Sequence, residues 1–106
     1  MKKYQVNITD GALKDMEQIY DYIAYVLLSP RNALGQYKRI ASSIERLDLM
    51  PERFKIIDLG KEHFKGMRRM LVDNYSVFYV IRENQVIVTN VLYSASDIEQ
   101  RLRFQI

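Results

Sequence analysis

Lys65, Arg68 and Arg69 lie close together on the segment KGMRRMLVDNYSVFYVIRENQVIVTNVLY (residues 65 to 93), which also carries Tyr75, Tyr79 and Tyr93. A guanidinium binds phosphate or carboxylate through paired donors. An exposed tyrosine beside arginines can stack on a base, although such a tyrosine more often packs in a sheet with its hydroxyl bonded at the edge. Neighbours on a strand point to opposite faces, so Arg68 shares a face with Met70 and Val72, and Arg69 with Met67 and Leu71. One of the two is expected at the covered face or its rim, where it needs an acidic partner. Two readings stay open: one structural ion pair with one exposed charge, or a contact to phosphate or to a partner's carboxylate.

Other chemistries find little support. The chain has no cysteine and one histidine, His63. Thiolate metal sites, a cysteine nucleophile and a two-histidine metal site are therefore ruled out. His63 sits between Glu62 and Phe64-Lys65 and reads as a surface-loop bystander, with an acid/base or RNA-stacking group as the alternative. The four glycines (Gly11, Gly35, Gly60, Gly66) build no phosphate-cradling loop. No cofactor and no metal are expected.

Charge is mildly basic, +3 overall, and unevenly spread. Asp10, Asp15, Glu17 and Asp21 crowd the stretch 10–28 against Lys14. Arg53, Lys55, Lys61, Lys65, Arg68 and Arg69 crowd 53–69 against Asp58 and Glu62. Such a basic concentration suits a polyanion or an acidic partner, or is simply a solvated surface. No apolar run approaches the ~20 residues that span a bilayer. The first residues lack the apolar core of a signal peptide. A cytoplasmic protein with no membrane partner is expected.

The elements that position these residues are legible. At 106 residues the chain reads as one domain, 1–106. Tyr4, Val6 and Ile8 alternate with polar residues, giving a strand over 3–8. Thr9 or Asp10 can cap a helix over about 11–27, with Leu13, Met16, Ile19, Tyr20, Ile23 and Val26 on one apolar stripe and Asp15, Glu17 and Asp21 off it. Ser29-Pro30 restarts a second helix, whose face is Ala33, Tyr37, Ile40, Ala41, Ile44 and Leu47 and which Met50-Pro51 ends. Phe54, Ile56 and Ile57 suggest a short strand, and Leu59-Gly60 a turn. Three strands then run as a meander, turning at Asp73-Asn74 and at 82–84. Ser96 and Glu99 have capping-box spacing for a short helix over 97–103. The helices should cover one face of the sheet. Tyr4, Tyr20, Tyr22, Tyr25 and Tyr37 are expected in the core or at its rim.

Taken in order, these features resemble the RelE/ParE family of bacterial type II toxins. The opening YQVNITDGALKDMEQIYDYIA follows the family's strand, threonine cap and Ile-Tyr-Asp-Tyr-Ile helix. A second helix starts after a proline and ends in Leu-x-x-x-Pro, here Leu47 to Pro51. RRMLVDNYSVFYVI is similar to the family's Arg-x-Leu-x-Val-x-x-Tyr-x-Val-Phe-Tyr core, and a Val-Leu-Tyr run precedes Asp97-Ile98. The resemblance implies a small α+β fold: N-terminal strand, helical hairpin, antiparallel β-meander and short C-terminal helix.

It also implies a cognate antitoxin that holds the toxin inactive, laid over an apolar groove and the basic surface. RelE-like members cut mRNA in the ribosomal A site without a metal, the RNA's own 2′-hydroxyl attacking the phosphate while basic and aromatic groups stabilise charge and move protons. ParE-like members poison DNA gyrase. This chain has Ser76 where the nucleases commonly carry arginine, and Ser94, Ala95 and Ser96 where they carry basic, His or Tyr groups. The ParE-like outcome is therefore favoured. A nuclease would have to work with a substitute set such as Lys65, Arg68 and Tyr93. A third outcome is a degenerate, non-toxic antitoxin-binding module. Lys65, Arg68, Arg69, Tyr75 and Tyr93 are the expected contacts to antitoxin or target.

Overall fold

The computed structural model of the chain describes residues 2–58 and 65–103. In order they form β1 (Gln5–Ile8), α1 (Asp10–Asp21), a π-helical turn (Tyr22–Val26), α2 (Pro30–Glu45), 3₁₀ turns at Arg46–Asp48 and Pro51–Arg53, β2 (Arg68–Val72), β3 (Tyr75–Arg82), β4 (Gln85–Tyr93) and α3 (Ile98–Arg101). The sheet order is β1-β4-β3-β2. The meander pairs antiparallel, and β1 joins β4 in parallel through the helical crossover. This is the expected α+β fold.

Local chemistry sets the boundaries. Thr9 caps α1 by accepting the Ala12 N–H at 3.2 Å. α1 stays regular only to Asp21, short of the expected end. The Leu27 N–H then reaches back five residues to Tyr22 at 3.0 Å, and the Ser29 N–H six residues to Ile23 at 3.0 Å. Leu28, between them, takes φ +55°, a helix stop that glycine usually makes. Proline begins α2 as expected.

Several expectations need correction. Lys3 makes only an isolated bridge to Leu49, so the first strand starts at Gln5. Ile56 makes a single bridge to Arg68 in place of a strand. The Ser96 hydroxyl donates to the Tyr93 carbonyl and does not cap α3. The Leu59-Gly60 turn and His63 lie outside the described residues.

Both faces of the sheet carry a core. On the helix face, Met16, Ile40, Ile44 and Leu47 pack on Met70, Val77, Tyr79, Val86, Val88 and Val91. On the far face, Leu102 and Ile98 of the C-terminal segment pack on Met67, Phe78, Val80 and Leu92. A bulge makes this possible. Phe78 pairs with Asn90 but Tyr79 with Val88, which leaves Thr89 as the extra residue. The extra residue shifts the alternation, so Val88 and Val91 both face the helices.

A candidate partner-binding surface

β2 is an edge strand, and its two arginines part to opposite faces as the alternation requires. Arg68 Nη1 donates to the Phe54 carbonyl at 2.7 Å and the Glu52 carbonyl at 3.0 Å. Tyr79 Oη donates to the Pro51 carbonyl at 2.6 Å, and Tyr4 Oη to Glu52 Oε2 at 2.8 Å. Together these bonds pin the 51–54 loop over the end of the helix-face core. Burial pushes the Tyr79 hydroxyl up to about 12. The hydrogen bond from Tyr4 holds Glu52 below the usual carboxylate range, and the same bond raises Tyr4. Arg68 Nη1 thus bonds main-chain carbonyls, and the Arg68 charge also helps to lower the nearby Glu52 carboxyl.

Arg69 points to the far face. Its Nε donates to Ser76 Oγ at 2.8 Å, and Ser76 Oγ lies 2.8 Å from Ser94 Oγ. The guanidinium carbon stands 5.8 Å from the centre of the Phe78 ring. Ser76 is fully buried. This chain of small hydroxyls holds the Arg69 Nε, and Arg69 itself lines a shallow groove. The groove measures ≈ 520 Å³ and is lined by Arg53, Phe54, Lys55, Ile56, Ile57, Arg69 and Leu71. Arg53 is tied to the Leu49 and Met50 carbonyls. Ile56 and Leu71 are more than half exposed.

The backbone beside this groove is partly open. The Arg69 N–H goes to the Lys55 carbonyl at 3.2 Å, and the Ile57 N–H to the Met67 carbonyl at 2.8 Å. Alternate residues of an antiparallel strand turn their amides the same way, so Leu71 also directs its N–H and C=O outward, past the end of this cover. An open edge of this kind accepts a further strand.

Tyr75 and Tyr93 lie on the helix face at the other end of the strands. Their rings meet edge-on with centroids 5.9 Å apart. They line a cleft of ≈ 610 Å³ with Ile19, Tyr22, Leu27, Val91 and Arg101 among its walls. Burial raises the Tyr75 hydroxyl above its ordinary value. The structure does not bring Lys65, Arg68 and Tyr93 together. Arg68 is aligned with Tyr79, whereas Tyr93 is aligned with Tyr75 and Val72. Four strand positions separate the two levels, roughly 13 Å. Lys65 lies in the exposed turn ahead of β2. Among the described residues, no three His, Cys, Asp or Glu side chains converge as metal ligands would. No described helix is long and apolar enough to cross a membrane.

Two features escaped the sequence. Asp15, read as off the apolar stripe, is buried under Arg103. Tyr22 and Tyr25, expected in the core or at its rim, are well exposed.

Comparison with known proteins agrees with this architecture. The family model described as ParE toxin of type II toxin-antitoxin system, parDE, matches residues 6–98. No curated protein sequence matches. Among solved structures, the chain is similar to one from a chromosomal ParDE system of P. aeruginosa, with TM-score 0.73, 17% identity, and coverage of 88% of this chain and 98% of that one. It is also similar to one from the RelBE2 toxin-antitoxin complex of Mycobacterium tuberculosis, with TM-score 0.59, 18% identity, and coverage of 91% and 97%. At these identities the solved structures speak for the fold, and the family model speaks for the lineage. The chain belongs to the ParE toxin family of type II toxin-antitoxin systems.

Proposed function

We propose that this toxin arrests growth by acting on DNA gyrase and is silenced by a cognate antitoxin. The observation that carries the choice of target is the Ser76–Ser94 pair beneath Arg69. An A-site nuclease of this fold would place a cation and a proton-transfer group at these positions. Here both are hydroxyls engaged with each other and with one arginine. Losing such contributors forfeits several kcal/mol of transition-state stabilisation. The remaining candidates, Arg68 and Tyr93, lie too far apart to act on one phosphate.

The antitoxin reading rests on the groove of Arg69, Lys55, Ile56 and Leu71. It combines cations, exposed apolar side chains and an open strand edge, which suits an extended acidic segment with apolar residues at alternate positions. Inducing the chain alone in a bacterium should stop growth, and co-expressing the adjacent small gene should restore it. Purified toxin should inhibit gyrase supercoiling and leave A-site mRNA intact in toeprints. A-site cleavage with untouched gyrase would replace this reading with the nuclease, and normal growth on induction would replace it with a non-toxic binding module.

A further inference from the structure

The outer side of α2 gathers cations. From Pro30 to Arg46 the sequence holds Arg31, Lys38, Arg39 and Arg46 against Glu45. Steps of four, three, four and four residues set Arg31, Gly35, Lys38, Ser42 and Arg46 along one ridge, opposite the buried Ala33, Gln36, Ile40 and Ile44. Arg39 flanks the ridge and is tied to Asp73. Arg46 bonds the hydroxyls of Ser42 and Ser43. Among the described residues, Arg31 and Lys38 have no carboxylate within ion-pair distance. The acids of α1 stand aside from the ridge: Glu17 and Asp21 share a pocket with Leu34 and Tyr37, on the flank of α2.

Two ridge positions work against the helix itself. Gly35 sits in the middle of α2, where glycine is strongly disfavoured. Packing does not demand it. A β-carbon there would stand 3.3 Å from Arg39 Nη1, the far end of a flexible side chain, and within 4 Å of no other described residue. Arg31 sits in the first turn, which holds no acid, and a cation there opposes the helix dipole. Both residues suit an anion outside the fold. The bare backbone at Gly35 lets a broad surface come close, and cations on either side of it neutralise that surface. The ridge offers no apolar anchor for a protein pocket, no ring for an unpaired base to stack on, and no bulky apolar group to enter a bilayer. A duplex backbone needs none of these. Arg31, Lys38 and Arg46 follow one another at about 10 and 12 Å along the axis. The row spans roughly 22 Å, about two-thirds of a turn of B-DNA. An α-helix fits the major groove of B-DNA, whereas that of duplex RNA is too narrow.

We infer that α2 docks on the phosphate backbone of double-stranded DNA through Arg31, Lys38 and Arg46, without reading its sequence. Such docking requires neither gyrase nor the antitoxin, so it stands apart from the choice of target. The test uses the full chain made by cell-free synthesis and fluorescence anisotropy on a mixed-sequence DNA duplex of about two helical turns. Neutralising three phosphates predicts that log affinity falls with log salt at a slope of about −3. Arg31→Glu with Lys38→Glu should weaken binding roughly tenfold or more and flatten that slope by about two. Lys2→Glu with Lys14→Glu makes the same change in net charge at exposed sites elsewhere and should leave the slope intact. Gly35→Glu separates binding from folding. Glutamate is the better helix former and faces Arg39 one turn on, so the melting temperature should hold or rise while duplex affinity falls severalfold. A wild type without salt-dependent duplex binding overturns the inference. Equal weakening by the two double variants overturns it by assigning the binding to net charge, and so does a Gly35→Glu protein that binds as wild type. Tighter binding to an RNA duplex of the same length, or to vesicles of anionic lipid, overturns it by giving the ridge another partner.

Discussion

Asp15 and Arg103, 88 positions apart, form a two-pronged ion pair: Nη1 donates to Oδ2 and Nη2 to Oδ1, each at 2.8 Å. The buried carboxylate also accepts the Val91 N–H at 3.0 Å, and Arg103 Nη1 reaches the Thr89 carbonyl at 2.9 Å. One side chain thus ties the C-terminal segment to α1 and to the bulge of β4. Asn90, re-aimed by that bulge, adds bonds to the Arg103 N–H and the Arg101 carbonyl. Gly11 makes room for this. A β-carbon there would stand 2.6 Å from Arg103 Nε. In an isolated helix, glycine to alanine gains about 1 kcal/mol. Gly11→Ala should instead destabilise the protein, because the guanidinium must leave a carboxylate that stays buried. In an Arg103→Ala background the same change should become stabilising. Urea midpoints of the four proteins give the sign of the coupling, and a gain of stability from Gly11→Ala with Arg103 present would show that the guanidinium does not need this space.

Tyr79 predicts a loss of stability at high pH. Its hydroxyl is held up to about 12 by burial, against an ordinary value of 10.0. Between those two values the folded state keeps a proton that the unfolded state has shed, so stability falls as pH rises from 10 toward 12. Two units correspond to roughly 2.7 kcal/mol at most. Absorbance at 295 nm should show one tyrosine ionising well after the exposed ones. Tyr79→Phe should remove the corresponding part of the alkaline slope and cost roughly 1 kcal/mol at neutral pH through the lost bond to Pro51. An alkaline slope unchanged by the substitution would place the late ionisation elsewhere.

The frame was legible because its signals are local. Alternation over the meander, Thr9 before α1 and Ser29-Pro30 before α2 each act within a turn or two. What stayed hidden depends on distant partners. Asp15 reads as a solvent residue until a strand bulge and a C-terminal arginine close over it. The arginine on the covered side was expected to need an acidic partner; it is Arg68, and a 3₁₀ loop supplies it with carbonyls. The order of elements along the chain, the family pattern and the opposite facing of Arg68 and Arg69 came from the residues themselves. Which arginine would be free did not, because that depends on how 51–57 folds back on the sheet edge.

The β2–β3 turn predicts acid sensitivity. Asp73, at φ +54°, accepts from Arg39 Nε at 2.8 Å and Gln36 Nε2 at 3.0 Å, joining the turn to α2. The Arg39 bond, then the Gln36 bond, holds its carboxyl below the ordinary 3.8. Its contribution is therefore complete above the unfolded value and fades as pH drops through the lower folded one. Asp73→Asn should flatten the fall of melting temperature below about pH 4 while changing it little at neutral pH, since the pair is exposed and solvent screens it. Identical acid limbs for the two proteins would remove Asp73 from the acid transition.

Arg68 and Arg69 should separate stability from binding. Arg68 donates to two main-chain carbonyls and anchors the loop whose Pro51 carbonyl receives Tyr79. Arg68→Ala leaves those carbonyls without their donor and should lower stability by roughly 1–3 kcal/mol, with antitoxin affinity preserved at temperatures where the variant is folded. Arg69 bonds a serine hydroxyl and lines the groove. Arg69→Ala should cost little stability but weaken antitoxin binding roughly tenfold to a hundredfold, the loss expected when one partner of an interfacial charge pair is removed. Lys55→Ala, one strand-width away on the same groove, should weaken it less and chiefly through the association rate. Calorimetric melting alongside surface-plasmon binding on the three variants distinguishes these roles. If Arg68→Ala abolished binding while leaving the melting temperature untouched, the assignment of the two arginines would have to be exchanged.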